Sequence, residues 1–216
     1  MNMTTHLSPQ RRRQVLVGLC LIAAPVAQLV GDSYYVIGDF PFAFSLWRWV
    51  GHLLFIPALL GLSHYWLRGR ADWLGLIGTA LVVIGSMGAA SLFRIMRLSS
   101  VLEVGQNGFP LVAEQAFGRS PGIAASLFLG SLQFPVGLVV LGAGVLRERS
   151  LPGFAGILLM ACGLLFWLGN AMEIDACLLA GDTLTLSLLG WLGSRLLEGS
   201  DHRPPVVEVR AGRISE

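Results

Sequence analysis

Apolar runs of membrane-spanning length alternate with short charged stretches along this chain, six times over. The runs cover about Gln14 to Gly31, Trp47 to Leu67, Trp73 to Phe93, Gly122 to Leu146, Leu151 to Gly169 and Ala176 to Leu197. Each has close to the roughly 20 residues that an α-helix needs to cross a hydrocarbon core of about 30 Å. Lipid offers backbone groups no hydrogen bonds, so a spanning segment must satisfy its own, and long apolar runs do so as helices. The pattern predicts an all-α integral membrane bundle of six transmembrane helices. Residues 1–13 then form a basic N-terminus, 14–198 the transmembrane domain, and 199–216, with Pro204 and Pro205, a disordered tail.

Local signals fit those limits. Asp72 precedes the third run as a helix cap, and Ser120 followed by Pro121 opens the fourth. Pro25, Pro57 and Pro135 fall inside runs, where membrane bundles tolerate them because neighbouring groups re-satisfy the freed carbonyls. The first run follows Arg11, Arg12 and Arg13 and so has the outline of a signal peptide. Pro25 interrupts the small-residue pattern that cleavage would need, and a retained first helix is the better reading. The least legible boundary lies between Asn170 and Asp182, where acids mix with apolar residues.

Arginine placement sets the expected orientation. Arg11, Arg12, Arg13, Arg68, Arg70, Arg147, Arg149 and Arg195 fall on one side, against Arg48, Arg94, Arg97 and Arg119 on the other. The positive-inside rule makes the first side cytoplasmic, with both termini there. Trp47, Trp49 and Trp167 then mark the outer interface, and Trp66, Trp73 and Trp191 the inner one. Two outer connections are expected to be long: an aromatic-rich one from Asp32 to Leu46, and one from Arg94 to Ser120 returning through Gly105, Gly108 and Pro110.

Composition changes the picture little but excludes much. Hydrophobic residues make up 54% of the 216-residue chain and charged ones 13%. A soluble domain carries roughly a quarter charged residues, so a non-aqueous solvent is required. A net charge of +2 gives no footprint for nucleic acid. Every basic residue is arginine, which rules out Schiff-base chemistry on lysine. Cys20, Cys162 and Cys177 show no metal-ligand spacing and read as small buried hydrophobes.

A shift of 78 positions places Pro57 on Pro135, Gly75 on Gly153, Gly78 on Gly156 and Gly85 on Gly163. Such matches raise a duplicated hairpin, although a chain rich in Gly and Leu also produces them by chance.

Candidate chemistry comes from depth. Counting helical rise from the nearest cytoplasmic charge puts Gln28, His52, Ser86, Gln133 and Asp182 all about 20 to 24 Å deep, in the outer half of the membrane. Just above lie Asp32, Arg48, Arg94, Arg97, Asn170, Glu173 and Asp175. Ionisable groups at such depth are costly and usually have a purpose. The expectation is a polar cavity open outward, with a ligand-binding set of Gln28, Arg48, His52, Gln133 and Asp182. Arg94, Glu173 and Asp175 would set the charge at its mouth, and Asp32 would be a counter-charge. The arginines would pair an anionic group, the glutamines orient the ligand, and Asp182 hold a cation or proton.

No nucleophile elbow, phosphate loop or metal-ligand spacing occurs, and His52 with His64 lacks the angular relationship and partners of a haem pair. No cofactor, metal or nucleic acid is therefore expected. The functional expectation is a multi-pass protein of a cell membrane, a bacterial inner membrane, that binds or transports a small amphiphilic molecule. Anionic lipid would gather at its arginines, and a homo-oligomer or another membrane protein is an open partner. The alternative is a structural or accessory membrane subunit whose polar groups join helices, with a membrane-embedded enzyme third.

Overall fold

The computed structural model describes residues 8–37, 41–66, 73–101, 121–149, 151–172 and 174–199. They form six helices: α1 (Pro9–Ile37), α2 (Pro41–Trp66), α3 (Trp73–Val101), α4 (Pro121–Glu148), α5 (Gly153–Met172) and α6 (Asp175–Glu198). Five of them are long and apolar enough to cross a membrane, and α4 matches them in length at 28 residues. The chain is an all-α multi-pass membrane bundle. Leu16, Leu53, Leu60, Leu76, Ile84, Met87, Ile157 and Leu164 are each at least 42% exposed, as an outer face in lipid requires and one in water would resist.

Three helices begin on proline (Pro9, Pro41 and Pro121), whose fixed φ suits the first helical position and whose missing N–H has no partner to lose there. The residues 67–72 and 102–120, with Asp72, Ser120 and the expected return through Gly105, Gly108 and Pro110, lie outside the described residues, as do the tail and the first seven residues.

Each helix packs against its sequence neighbours, and α1 also packs against α6. The bundle is thus a closed ring in chain order, and among the described residues helices on opposite sides of it meet through side chains and not through close backbone approach. Side chains fill the middle: Leu21, Phe55, Leu59, Leu62, Val82, Phe134, Leu138, Phe166, Leu188 and Leu192 belong to one buried cluster drawn from all six helices. A smaller cluster of Phe44, Ala89 and Phe93 sits apart from it, with Tyr34 and Trp49 against it.

Glycine sets the spacing of the ring. Gly78 and Gly85 on α3 face the backbone of α4 at Leu141 and Phe134, and Gly137 and Gly144 on α4 return the contact at Val82 and Gly75. On the next seam, a Cβ at Gly156 would lie 2.7 Å from the carbonyl of Gly142, and one at Gly163 would lie 2.5 Å from that of Pro135. These pairs recur two turns apart, the period that keeps one seam facing a partner in left-handed packing. Small residues let backbones close where hydrophobic driving force between helices is absent. Glycines matched by the 78-residue shift nevertheless serve different seams: Gly78 and Gly85 pack forward onto α4, whereas Gly156 and Gly163 pack back onto it. The matching is a shared spacing, not a shared packing role.

The seam between α1 and α6 that closes the ring is also tied at its arginine-rich end. Arg11 of α1 donates from Nη1 to the carbonyl of Leu196 at 2.9 Å and from Nη2 to that of Leu197. Gly199 ends α6 in the left-handed region at φ 72°, its N–H bonded to Leu196 O. Both termini of the helical bundle therefore meet at one end, as an even number of spans requires.

One expected connection is mostly helix. Of the aromatic stretch from Asp32 to Leu46, α1 takes residues up to Ile37 and α2 those from Pro41. Asp32 is not the boundary it suggested, because Arg48 meets its charge and the helix need not stop to solvate it.

Candidate functional site

Asp32, Arg48 and Asp182 come together from α1, α2 and α6 in the half of the ring away from Arg11. Arg48 Nε donates to Asp32 Oδ1 in an ion pair whose side chains are 6% and 0% exposed. Gly31 favours this: a Cβ there would sit 3.0 Å from Arg48 Cγ and 3.1 Å from Arg48 N, tighter than ordinary contact, so glycine eases the approach of the arginine stem. Gly51 does the same from α2, lying against Ala24 O and Gln28 N of α1. The two helices are held close at the level where the pair forms.

Asp182 lies two turns into α6 and is 1% exposed. The helix therefore begins before Asp182, inside the stretch from Asn170 to Asp182 where its start is least legible in the sequence. The Asp182 carboxyl neighbours that of Asp32 and lies inside the field of Arg48. Neither oxygen of Asp182 has a hydrogen-bond donor, and neither has Asp32 Oδ2. Beside it, a Cβ at Gly181 would meet the ring of Phe166 at 3.3 Å, and Thr185 donates to Gly181 O at 2.7 Å.

Arg48 is also held by rings. Its Cζ stands 5.4 Å from the centroid of Phe44 and 5.3 Å from that of Phe93, so the guanidinium is placed for cation–π contact with both. One turn along α2, buried His52 stacks on Phe93 at 5.7 Å and 13°, and meets Phe134 edge-on at 5.0 Å and 84°. Phe134 continues to Phe55 at 5.2 Å and Phe166 at 5.8 Å. The site is therefore an ionisable trio beside an aromatic wall contributed by α2 to α5.

The expected residues divide clearly. Arg48 and Asp182 are brought together, and His52 lies one turn from Arg48 along α2. Gln28 is buried on the same face of α1 as Asp32, one turn away, and its Oε1 has no partner. Gln133 is half-buried beside Phe134, its Oε1 likewise without a partner. Arg94 and Asp175 are exposed and do not join the trio. Glu173 lies outside the described residues, as does the side chain of Arg97. Ser86 is fully buried on α3, with an unpartnered hydroxyl.

Asp32 is the main omission from the expected binding set, although its charge and its i, i+4 relation to Gln28 were visible. Phe93 and Phe134 carried no signal, since phenylalanine in an apolar run is as often turned to lipid. Among the described residues, no three His, Cys, Asp or Glu side chains gather as a metal would need. Two carboxyls against one guanidinium, by contrast, suit a proton or a monovalent cation. Comparisons with protein-family models, curated proteins and solved structures returned no match.

Proposed function

We propose that the chain binds or transports a small amphiphilic molecule, with Asp182 meeting a positive charge on it and the aromatic wall receiving its apolar part. The observation that carries this reading is the Asp182 carboxyl, 1% exposed and without a donor on either oxygen. A buried carboxylate in a membrane interior is costly unless something completes it. Arg48 is already engaged by Asp32, so the ligand's charge is met by the acid and not by the arginine. Rings such as Phe166 and Phe134 add the face that an organic cation favours. The arginine-rich end stands in the cytoplasm of a bacterial inner membrane, and the ligand reaches the site from the opposite, outer half.

The test uses protein in lipid nanodiscs and two probes of equal shape and opposite charge, tetraphenylphosphonium and tetraphenylborate. The expected result is binding of the cation alone, lost in Asp182→Asn with the unfolding temperature kept. A second reading has its own support, since the Asp32–Arg48 pair ties α1 to α2 as a structural subunit would need. It is favoured if Asp182→Asn lowers thermal stability and neither probe binds to wild type.

A further inference from the structure

Three buried formal charges do not balance: Asp32 and Asp182 together carry two negatives if ionised, against one positive on Arg48. Ionising both carboxyls would place two like charges in contact inside a low-dielectric core. Asp32 Oδ2 and both oxygens of Asp182 are acceptors without donors, and a hydrogen carried by one carboxyl supplies the donor that the neighbouring carboxyl lacks.

We propose that Asp32 and Asp182 hold one exchangeable proton between them, and that a monovalent organic cation binds by displacing it. The site is neutral with the proton and neutral with the cation, so neither state leaves a bare charge in lipid. The step is an exchange: the O–H bond of the shared carboxyl breaks, the cation pairs with the carboxylate formed, and the proton leaves to water. No oxidant or reductant takes part. The groups facing Asp182 are Asp32 from α1, Arg48 from α2 and Cys162 from α5, with Thr185 hydrogen-bonded near that thiol. Tyr35 of α1 and His52 of α2 lie within the field of Arg48 and complete the charge environment.

The inference rests on the ligand reading above for its second half only, and two measurements separate the halves. Infrared spectroscopy of unliganded wild type at neutral pH is expected to show the carbonyl stretch of a protonated carboxyl buried from solvent, missing in Asp182→Asn. Its absence from wild type overturns the shared proton, whether or not a cation binds. Tetraphenylphosphonium affinity is then measured against pH in wild type. One displaced proton makes binding about tenfold tighter for each unit of rising pH, while the pair stays protonated in the free protein. Proton release into weak buffer should match the cation bound. Affinity that is flat with pH overturns the exchange, whereas binding of neither probe, with the carbonyl band present, overturns the ligand reading and the exchange but leaves the shared proton standing. Asp182→Glu, which keeps the acid, serves as a second variant and should retain both signals if it folds.

Discussion

Arg48 on α2 and Asp32 on α1 are paired inside the bundle, and a further carboxyl beside them, that of Asp182, comes from a third helix. The arrangement makes the two partners unequal. Arg48→Met strands two carboxyls without a cation, whereas Asp32→Asn leaves Arg48 with Asp182 close by. Removing one partner of a buried pair typically costs about 3–5 kcal/mol. Arg48→Met should fall in that range and Asp32→Asn clearly below it. Reversible unfolding in mixed detergent micelles gives the order, and equal losses would mean that Asp182 does not compensate.

The glycine seam predicts a second inequality. Gly85 lies against the backbone of α4 at Phe134, so a methyl group there has no flexible neighbour to displace. Gly153 at the start of α5 has only Leu146 Cδ2 near its would-be Cβ, at 3.9 Å. Gly85→Ala should cost about 1–3 kcal/mol, as overpacking does. Gly153→Ala should be neutral within a few tenths of a kcal/mol. The comparison is made by thermal unfolding of the two variants in one detergent.

These contrasts bear on what the sequence could reveal. Helical rise fixes depth from a simple count, so His52 and Asp182 stood out as ionisable groups within the hydrocarbon core. Depth says nothing about azimuth, which requires knowing the neighbour each face meets. Arg94 and Asp175 were at a suitable level but turn outward, and Asp32 was read as marking a helix end that Arg48 in fact neutralises. The same blindness hid Phe93 and Phe134. Six spans were legible because length and apolarity are properties of single segments, whereas a seam is a property of two.

Arg11 reinforces the α1–α6 seam at the carboxyl end of α6, where helix-end carbonyls are short of intrahelical donors. Arg11→Gln removes a charge-assisted bond and its favourable interaction with the helix dipole, worth about 1 kcal/mol together at a half-buried site. Amide exchange should quicken in the last turn of α6, around Leu196 and Leu197, while the segment near Asp182 keeps its protection. Uniform loss of protection along α6 would show that the contact supports the whole helix and not only its end.

The aromatic wall can be read directly through His52. Its ring lies 13° from parallel with Phe93 at 5.7 Å and meets the edge of Phe134, so its protons sit in the shielding region of a neighbouring phenyl face. Phe93→Leu keeps most of the volume but removes that face, together with one of the two rings beside the Arg48 guanidinium. The packing change alone should cost about 1 kcal/mol, with the lost cation–π contact adding a similar amount. In the NMR spectrum of protein labelled at histidine, the His52 ring resonances should move downfield in Phe93→Leu, and those of His64, at the far end of α2, should stay in place. A His52 signal that does not respond would mean that the ring is not stacked, and that Arg48 is held by Asp32 with little help from the wall.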